Sequence, residues 1–343
     1  MAATALAAPG DGYLEKANVS GTVARQYRIS EAAFLEWAAS VGRRAEASDP
    51  GTVDLTLSAY FDYLYLDGCE PWEGRQALYG FAHVHRFPRP KDTFPHATKA
   101  LAGWVKRAPE ASRDPCPWEA LALLATWFLN LGTLEGVLAA ACSVVQFDVY
   151  GRPSATLALT LDHIVVGSGR ANRRYNQLAV IMAPSGPNRK PAKNLQFDDT
   201  VIVGSMSPDR VWIKKVVEQL VARCKRLQLN HLFEGLDLHT YESLFRRGSE
   251  ALSLQELRLC PHTVRHGGPS VDFLEKRGPL ELIKRRGHWL SDRSVARYGK
   301  EGKLLRQVNK MTARQQRDGA RAAAALPALL DQKLRGILRT RPP

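Results

Sequence analysis

The segment PHTVRHGG, residues 261–268, sets His262, Arg265 and His266 at i, i+3 and i+4, immediately before a glycine pair. On a helix this spacing puts all three side chains on one face. Three cationic or potentially cationic groups side by side suit either a solvated basic surface or a bound anion. Nearby segments bear on the choice. RRGHWLSDRSVARYGK (285–300) carries Gly287-His288-Trp289, with Tyr298 nine positions after Trp289 and ten after His288. Upstream, FDVYGRPSATLALTLDHI (147–164) places Arg152 where a helical pattern gives way to strand-like alternation. Between these, a long loop carries Lys190 and Lys193. Guanidiniums, imidazoles, an ammonium and a phenol form a set that can bind a phosphate and attack it.

The elements that must hold these groups can be read from pattern and punctuation. Residues 1–28, which begin MAATALAAPG without a basic leader, are expected to be a flexible tail. Ile29, Phe34, Trp37 and Ala38 then take helical spacing, with Ser30 as the expected N-cap. Helices are expected over 49–68, closed by Gly68, and near 71–84 and 94–107, so that 29–107 forms a small helical domain. RAPEASRDPCP, with its prolines and mixed charge, marks a linker at about 108–116. The second domain, 117–310, opens with PWEALALLATWFLNLG, where Pro117 and Gly132 bracket a helix. TLALTLDHIVVG, YNQLAVIMAP and FDDTVIVGS each alternate like strands, joined by basic loops that hold Arg173, Arg174, Lys190 and Lys193. The remainder is helical, ending in a basic, partly helical tail over 311–343. The fold class is therefore α+β, mainly helical, with a small three-stranded antiparallel sheet.

Composition narrows the partners. The net charge is +14, and the cations fall in stripes: Lys214, Lys215, Arg223, Lys225 and Arg226; then Lys284, Arg285 and Arg286; then Lys303, Arg306 and Lys310. Clustering of this kind fits a polyanion better than scatter does. No apolar run approaches the ~18 residues that span a bilayer. Five cysteines without CxxC spacing argue for reduced thiols in an intracellular protein, and against a disulfide frame or zinc cluster.

Taken in order, these elements resemble the tyrosine recombinase (phage integrase) family, in style its eukaryotic, mobile-element-borne members. The resemblance rests on YGRPSATLAL for the first arginine, a lysine on the hairpin before FDDTVIV, the box His262-Thr263-Val264-Arg265-His266, the Gly-His-Trp group and Tyr298. It covers about 115–310 and extends to the first third only as a core-binding-like helical domain. It implies a catalytic set of Tyr298, Arg152, Lys193, His262, Arg265 and Trp289 or His288. Trp289 gives the family's nine-residue spacing to Tyr298, and Lys190 competes with Lys193 for the lysine. Position 155, three after the first arginine, is alanine where the family usually has an acid.

The chemistry implied is transesterification of DNA. Tyr298 attacks a phosphate, leaving a 3′-phosphotyrosine and a free 5′-hydroxyl, with no need for a metal, ATP or other cofactor. Arg152 and Arg265 would clamp the non-bridging oxygens. His262 would take the phenol proton or position the phosphate, Lys193 would protonate the leaving oxygen, and Trp289 would pack the Tyr298 segment. Arg173, Arg174, Lys190, His266, Lys284, Arg285 and Arg286 are expected to contact DNA phosphates. Double-stranded DNA is the expected partner, bound by a tetramer on paired sites in the nucleus. Taken singly, each residue has an ordinary structural role open to it: Arg152 as a helix-end charge, Trp289 and Tyr298 as core. A non-catalytic, domesticated DNA-binding protein and a type IB topoisomerase are the alternative functions.

Overall fold

A computed structural model describes residues 19–108, 113–168, 175–182, 184–185, 198–292, 295 and 299–340. The chain divides between Ala111 and Ser112 into two units.

The first unit contains α1 (Gly21–Ser40), α2 (Pro50–Leu66), α3 (Pro71–Val84) and α4 (Pro95–Arg107), with a single turn at Pro90–Thr93. Proline opens α2, α3 and α4, where its missing N–H is no loss. Phe34, Phe61, Phe81, Phe94 and Trp104 fill the interior. Asp54 of α2 ties down the start of α4, accepting from the backbone N–H groups of His96 at 2.9 Å and Ala97 at 2.7 Å. The expected tail over 1–28 needs correction. Residues 21–28 are helical, Ser20 accepts from the Val23 N–H as N-cap, and Ser30 lies inside α1. The cause is that no breaker separates Gly21 from Ser30, and Tyr27 adds a further contact, its ring 5.5 Å from His83 of α3.

In the second unit, α5 (Trp118–Asn130) packs on α6 (Leu134–Val149), which is buried from Gly136 to its end. A short helix α7 (Pro153–Leu157) leads into an antiparallel sheet of β1 (Ile164–Val166), β2 (Leu178–Met182) and β3 (Asp199–Ile202), in that order. Val165 pairs with Ala179, and Val180 with Val201. Next come α8 (Ile213–Leu227), α9 (Leu238–Ala251), α10 (Pro261–Leu274), α11 (Leu280–Arg286), α12 (Glu301–Lys310) and α13 (Ala313–Ile337). The fold is mainly helical with a small three-stranded antiparallel sheet, as expected.

Two local expectations differ. TLALTLDHIVVG is not one strand. Pro153 starts α7, and a Thr160–His163 capping box starts a single 3₁₀ turn, so only Ile164–Val166 join the sheet, while Thr160 makes an isolated bridge to His231. Residues 311–340 are not a tail. A Thr312–Gln315 capping box opens α13, whose Leu326, Leu330 and Leu334 are buried in the main core. Asp331 of α13 accepts from Gln219 at 2.7 Å and pairs with Lys215 at 3.0 Å, both on α8. The apolar face of α13 is thus spent on its own unit. In the α8 cation stripe, Arg223 is buried and donates to the Glu234 carbonyl at 3.2 Å.

Candidate active site

The box PHTVRHGG forms the first half of α10. Pro261 stands in its first turn, and Cys260 and Thr263 cap it reciprocally. Gly267 and Gly268 let the helix close on α6: a side chain at 267 would collide with the Cys116 carbonyl oxygen and Phe147, and one at 268 with the Phe147 carbonyl oxygen and Tyr150. This close approach brings Arg265 to the end of α6.

Arg265 is 4% exposed. One terminal nitrogen donates to the Tyr150 carbonyl and the other to the Gly287 carbonyl at 3.3 Å, while the guanidinium lies 5.6 Å from the Trp289 ring centroid. The planar fork is therefore oriented by two carbonyls and an aromatic face. Tyr150 is central to this arrangement. It caps α6 in the left-handed conformation, with φ 53°. Its ring stacks on Trp289 at 6.1 Å, and its hydroxyl donates to Asp272 of α10.

Two buried ion pairs hold the surrounding frame. Asp272 accepts from Arg210 at 2.8 and 3.0 Å. Asp148, at the end of α6, pairs with Arg286 of α11 at 2.7 Å and accepts from the Gly204 N–H at 2.8 Å. Arg286 also donates to the carbonyls of Asp148 at 2.7 Å and Ile202 at 2.8 Å, which joins α6, β3 and α11. Buried charges of this kind are tolerable only when paired and hydrogen-bonded.

His288 follows α11 with φ 56°, in the left-handed region. Its Nδ1 is hydrogen-bonded to the Asp199 carboxylate, at the start of β3. Burial lowers its pKa, the Asp199 carboxylate opposes this, and the charges of Arg265 and Arg152 add to the lowering. Arg152, half-buried at the N-cap position of α7, therefore shares one electrostatic environment with Arg265 and His288.

On the other side of Arg265, His266 is held neutral. Burial, then the charges of Lys300, Arg265, His262 and Arg113, pull its pKa down to about 3. Lys300 lies 3.2 Å from His266 Nδ1 and donates to the Arg113 carbonyl at 2.6 Å. Burial, then Lys303, lowers the Lys300 pKa to about 8, so the ammonium remains charged at neutral pH.

The structure thus brings Arg152, His262, Arg265, His266 and His288 into one cluster. Trp289 is 8% exposed and packs with Tyr150, Met206, Ile283 and Val295. Arg286, expected to contact a phosphate, is instead buried on Asp148, and His266 lies against Lys300 with its pKa lowered by burial and the neighbouring cations. Lys284 pairs with Asp292 at 2.7 Å, whereas Arg285 is exposed. Tyr298, Lys190, Lys193, Arg173 and Arg174 lie outside the described residues. A cavity of about 1010 Å³ lined by Leu131, Phe233, Asp237 and Arg247 contains none of the cluster. Sequence reasoning missed Asp148, Tyr150, Asp199, Arg210, Asp272 and Lys300. Only Asp148 and Tyr150 carried a signal, as the acid and aromatic of DVYGR beside Arg152.

A solved structure of XerH site-specific recombinase, bound to palindromic difH substrate in a post-cleavage complex, superposes with a TM-score of 0.50 at 12% identity. The match covers 74% of this chain and 70% of that one. The fold is that of the tyrosine recombinases. A second XerH structure, a pre-cleavage complex on difH, matches at a TM-score of 0.38 and 10% identity over 80% of this chain and 90% of that one. No protein-family model and no curated protein sequence matches the chain. A tyrosine recombinase fold gives the cluster on α10, at the end of α6 and after α11 its setting.

Proposed function

We propose that the protein is a site-specific DNA recombinase that cuts and rejoins strands through a phosphotyrosine at Tyr298. The observation that carries this reading is the buried Arg265 fork, held by the carbonyls of Tyr150, two residues before Arg152, and Gly287, one before His288, within a tyrosine recombinase fold. Two guanidiniums beside an imidazole match the three needs of a phosphorane: charge neutralisation, orientation and proton exchange.

In the proposed reaction, Arg152 and Arg265 hold the non-bridging oxygens of the scissile phosphate. The Tyr298 Oη–P bond forms as the P–O5′ bond breaks. The phenol proton passes to an imidazole of the cluster, and Lys193 supplies a proton to the leaving 5′ oxygen. Rejoining reverses each step, with the 5′-hydroxyl as nucleophile. An unassisted phenol, with a pKa near 10, is mostly protonated at neutral pH. The two fixed cations lower the cost of forming phenolate beside phosphate. The reading assigns this position to His288 rather than Trp289, because His288 is bonded to Asp199 and feels the charges of both arginines, while Trp289 packs against Arg265. The proposed partner is double-stranded DNA, bound as a tetramer on paired sites, with a nuclear, mobile-element origin.

The test is a suicide substrate. The protein is mixed with nicked duplex DNA drawn from its genomic flanks, denatured, and examined for a protease-sensitive covalent adduct. An adduct in the wild type that is absent in Tyr298→Phe supports the reading. Wild-type protein that binds the DNA without ever becoming attached is a non-catalytic DNA-binding protein. Relaxation of supercoiled plasmid lacking any specific site points to a type IB topoisomerase.

A further inference from the structure

The contact between His288 and Asp199 carries more than packing. Asp199 is the first residue of β3, and its neighbour Asp198 accepts from the Ser185 N–H at 2.7 Å, closing the base of the β2–β3 hairpin. His288 reaches this carboxylate from a left-handed position after α11 that costs energy for a residue with a Cβ. Among the described residues, Asp199 from β3 is bonded to the ring, and the charges of Arg265 from α10 and Arg152 ahead of α7 act on it. A carboxylate on Nδ1 places the ring proton there and leaves Nε2 with its lone pair. Burial and the two arginines favour the neutral ring while the site holds no anion.

Building on the proposed recombinase function, we propose that Asp199 is a positioning residue which makes His288 the proton acceptor of the reaction. Nε2 of the neutral ring takes the proton of the hydroxyl attacking the phosphate, the Tyr298 phenol in cleavage and the 5′-hydroxyl in rejoining. The imidazolium formed is held by the Asp199 carboxylate and returns its proton when the step reverses, so no other reactant is consumed. Arrival of the phosphate strengthens the arrangement, since its negative charge offsets Arg152 and Arg265 and raises the basicity of the ring.

The experiment joins two readouts on the full chain. The first is nitrogen NMR of isotope-labelled histidines in wild type, Asp199→Ala and His288→Gln, the last assigning the signal. The second is the pH profile of single-turnover cleavage of the nicked duplex by wild type, Asp199→Asn, Asp199→Glu and His288→Gln, with DNA affinity measured alongside. Asn is isosteric with Asp, and a thermal melt checks that the variant folds.

In wild type the ring is expected as the Nδ1–H form, and Asp199→Ala should lose that preference. Asp199→Asn should cleave about a hundredfold or more slowly at unchanged DNA affinity, the scale of loss when a catalytic base loses its oriented carboxylate. The acid limb of its pH profile should move to lower pH, Asp199→Glu should restore part of the rate, and His288→Gln should abolish the limb. An acid limb that stays in place in both Asp199→Asn and His288→Gln overturns the proposal, as does a wild-type ring protonated on Nε2 alone. Wild-type protein that never forms an adduct overturns the recombinase reading and the proton-accepting role with it. The NMR arm still reports the Asp199–His288 pairing separately in that case.

Discussion

Protonating His266 would set a new positive charge beside Lys300 and Arg265 in a site already dense with cations. The folded-state pKa of about 3 lies far below the unfolded value near 6.5. Between those two values the unfolded chain takes up a proton that the folded chain refuses. The contribution of the neutral ring to stability is therefore complete above about pH 6.5 and declines as the pH falls toward 3. Urea unfolding at pH 6.5 and pH 4.5 should show wild type losing about 1–3 kcal/mol more than His266→Gln over that interval. Equal losses in the two proteins would mean that the ring is solvated or already charged. The same residue refines the idea of three cations on one helical face. The spacing did place the side chains together, but burial, reinforced by the neighbouring cations, keeps one of them neutral.

Helix α13 offers the clearest test at the scale of elements. Leu330 is fully buried in the main core, so Leu330→Ala should cost about 2–5 kcal/mol by removing packed methyl groups and leaving a cavity. A change below about 0.5 kcal/mol, the size seen at ordinary surface positions, would mean that the helix does not share that core. Much of the architecture was legible where local chemistry decides. Pro50, Pro71 and Pro95 open helices, and Gly68 and Gly132 follow the ends of α2 and α5 with positive φ. Pattern misled where a local hydrogen bond outcompeted it, as with the Thr160–His163 cap inside an apparent strand. The helix face of His262, Arg265 and His266 could be read from spacing because it is one turn of chain. The carboxylates that orient the site could not. Asp199 meets His288 across 89 residues, Arg210 meets Asp272 across 62, and Asp148 meets Arg286 across 138. Such pairings follow from the tertiary fold and leave no periodic trace.

For the molecule as a whole, a net charge of +14 makes salt the controlling variable for the proposed binding of DNA. If the cation clusters neutralise six to ten phosphates, affinity for duplex DNA should fall roughly 10³–10⁵-fold between about 50 and 200 mM salt. Fluorescence anisotropy across that range checks it, and a loss under about tenfold would place the positive surface away from the duplex. Each unit carries its own core, so a destabilising change in the first-unit cluster around Phe81 leaves the packing behind Arg265 intact. The tight seam where Gly267 and Gly268 meet Cys116, Phe147 and Tyr150 also constrains inheritance. A lineage that enlarges either glycine must pass through a protein whose α10 cannot close. The nearest obstacles are the backbone carbonyl oxygens of Cys116 and Phe147, which no substitution at the facing positions removes, so both glycines are fixed for as long as this seam is.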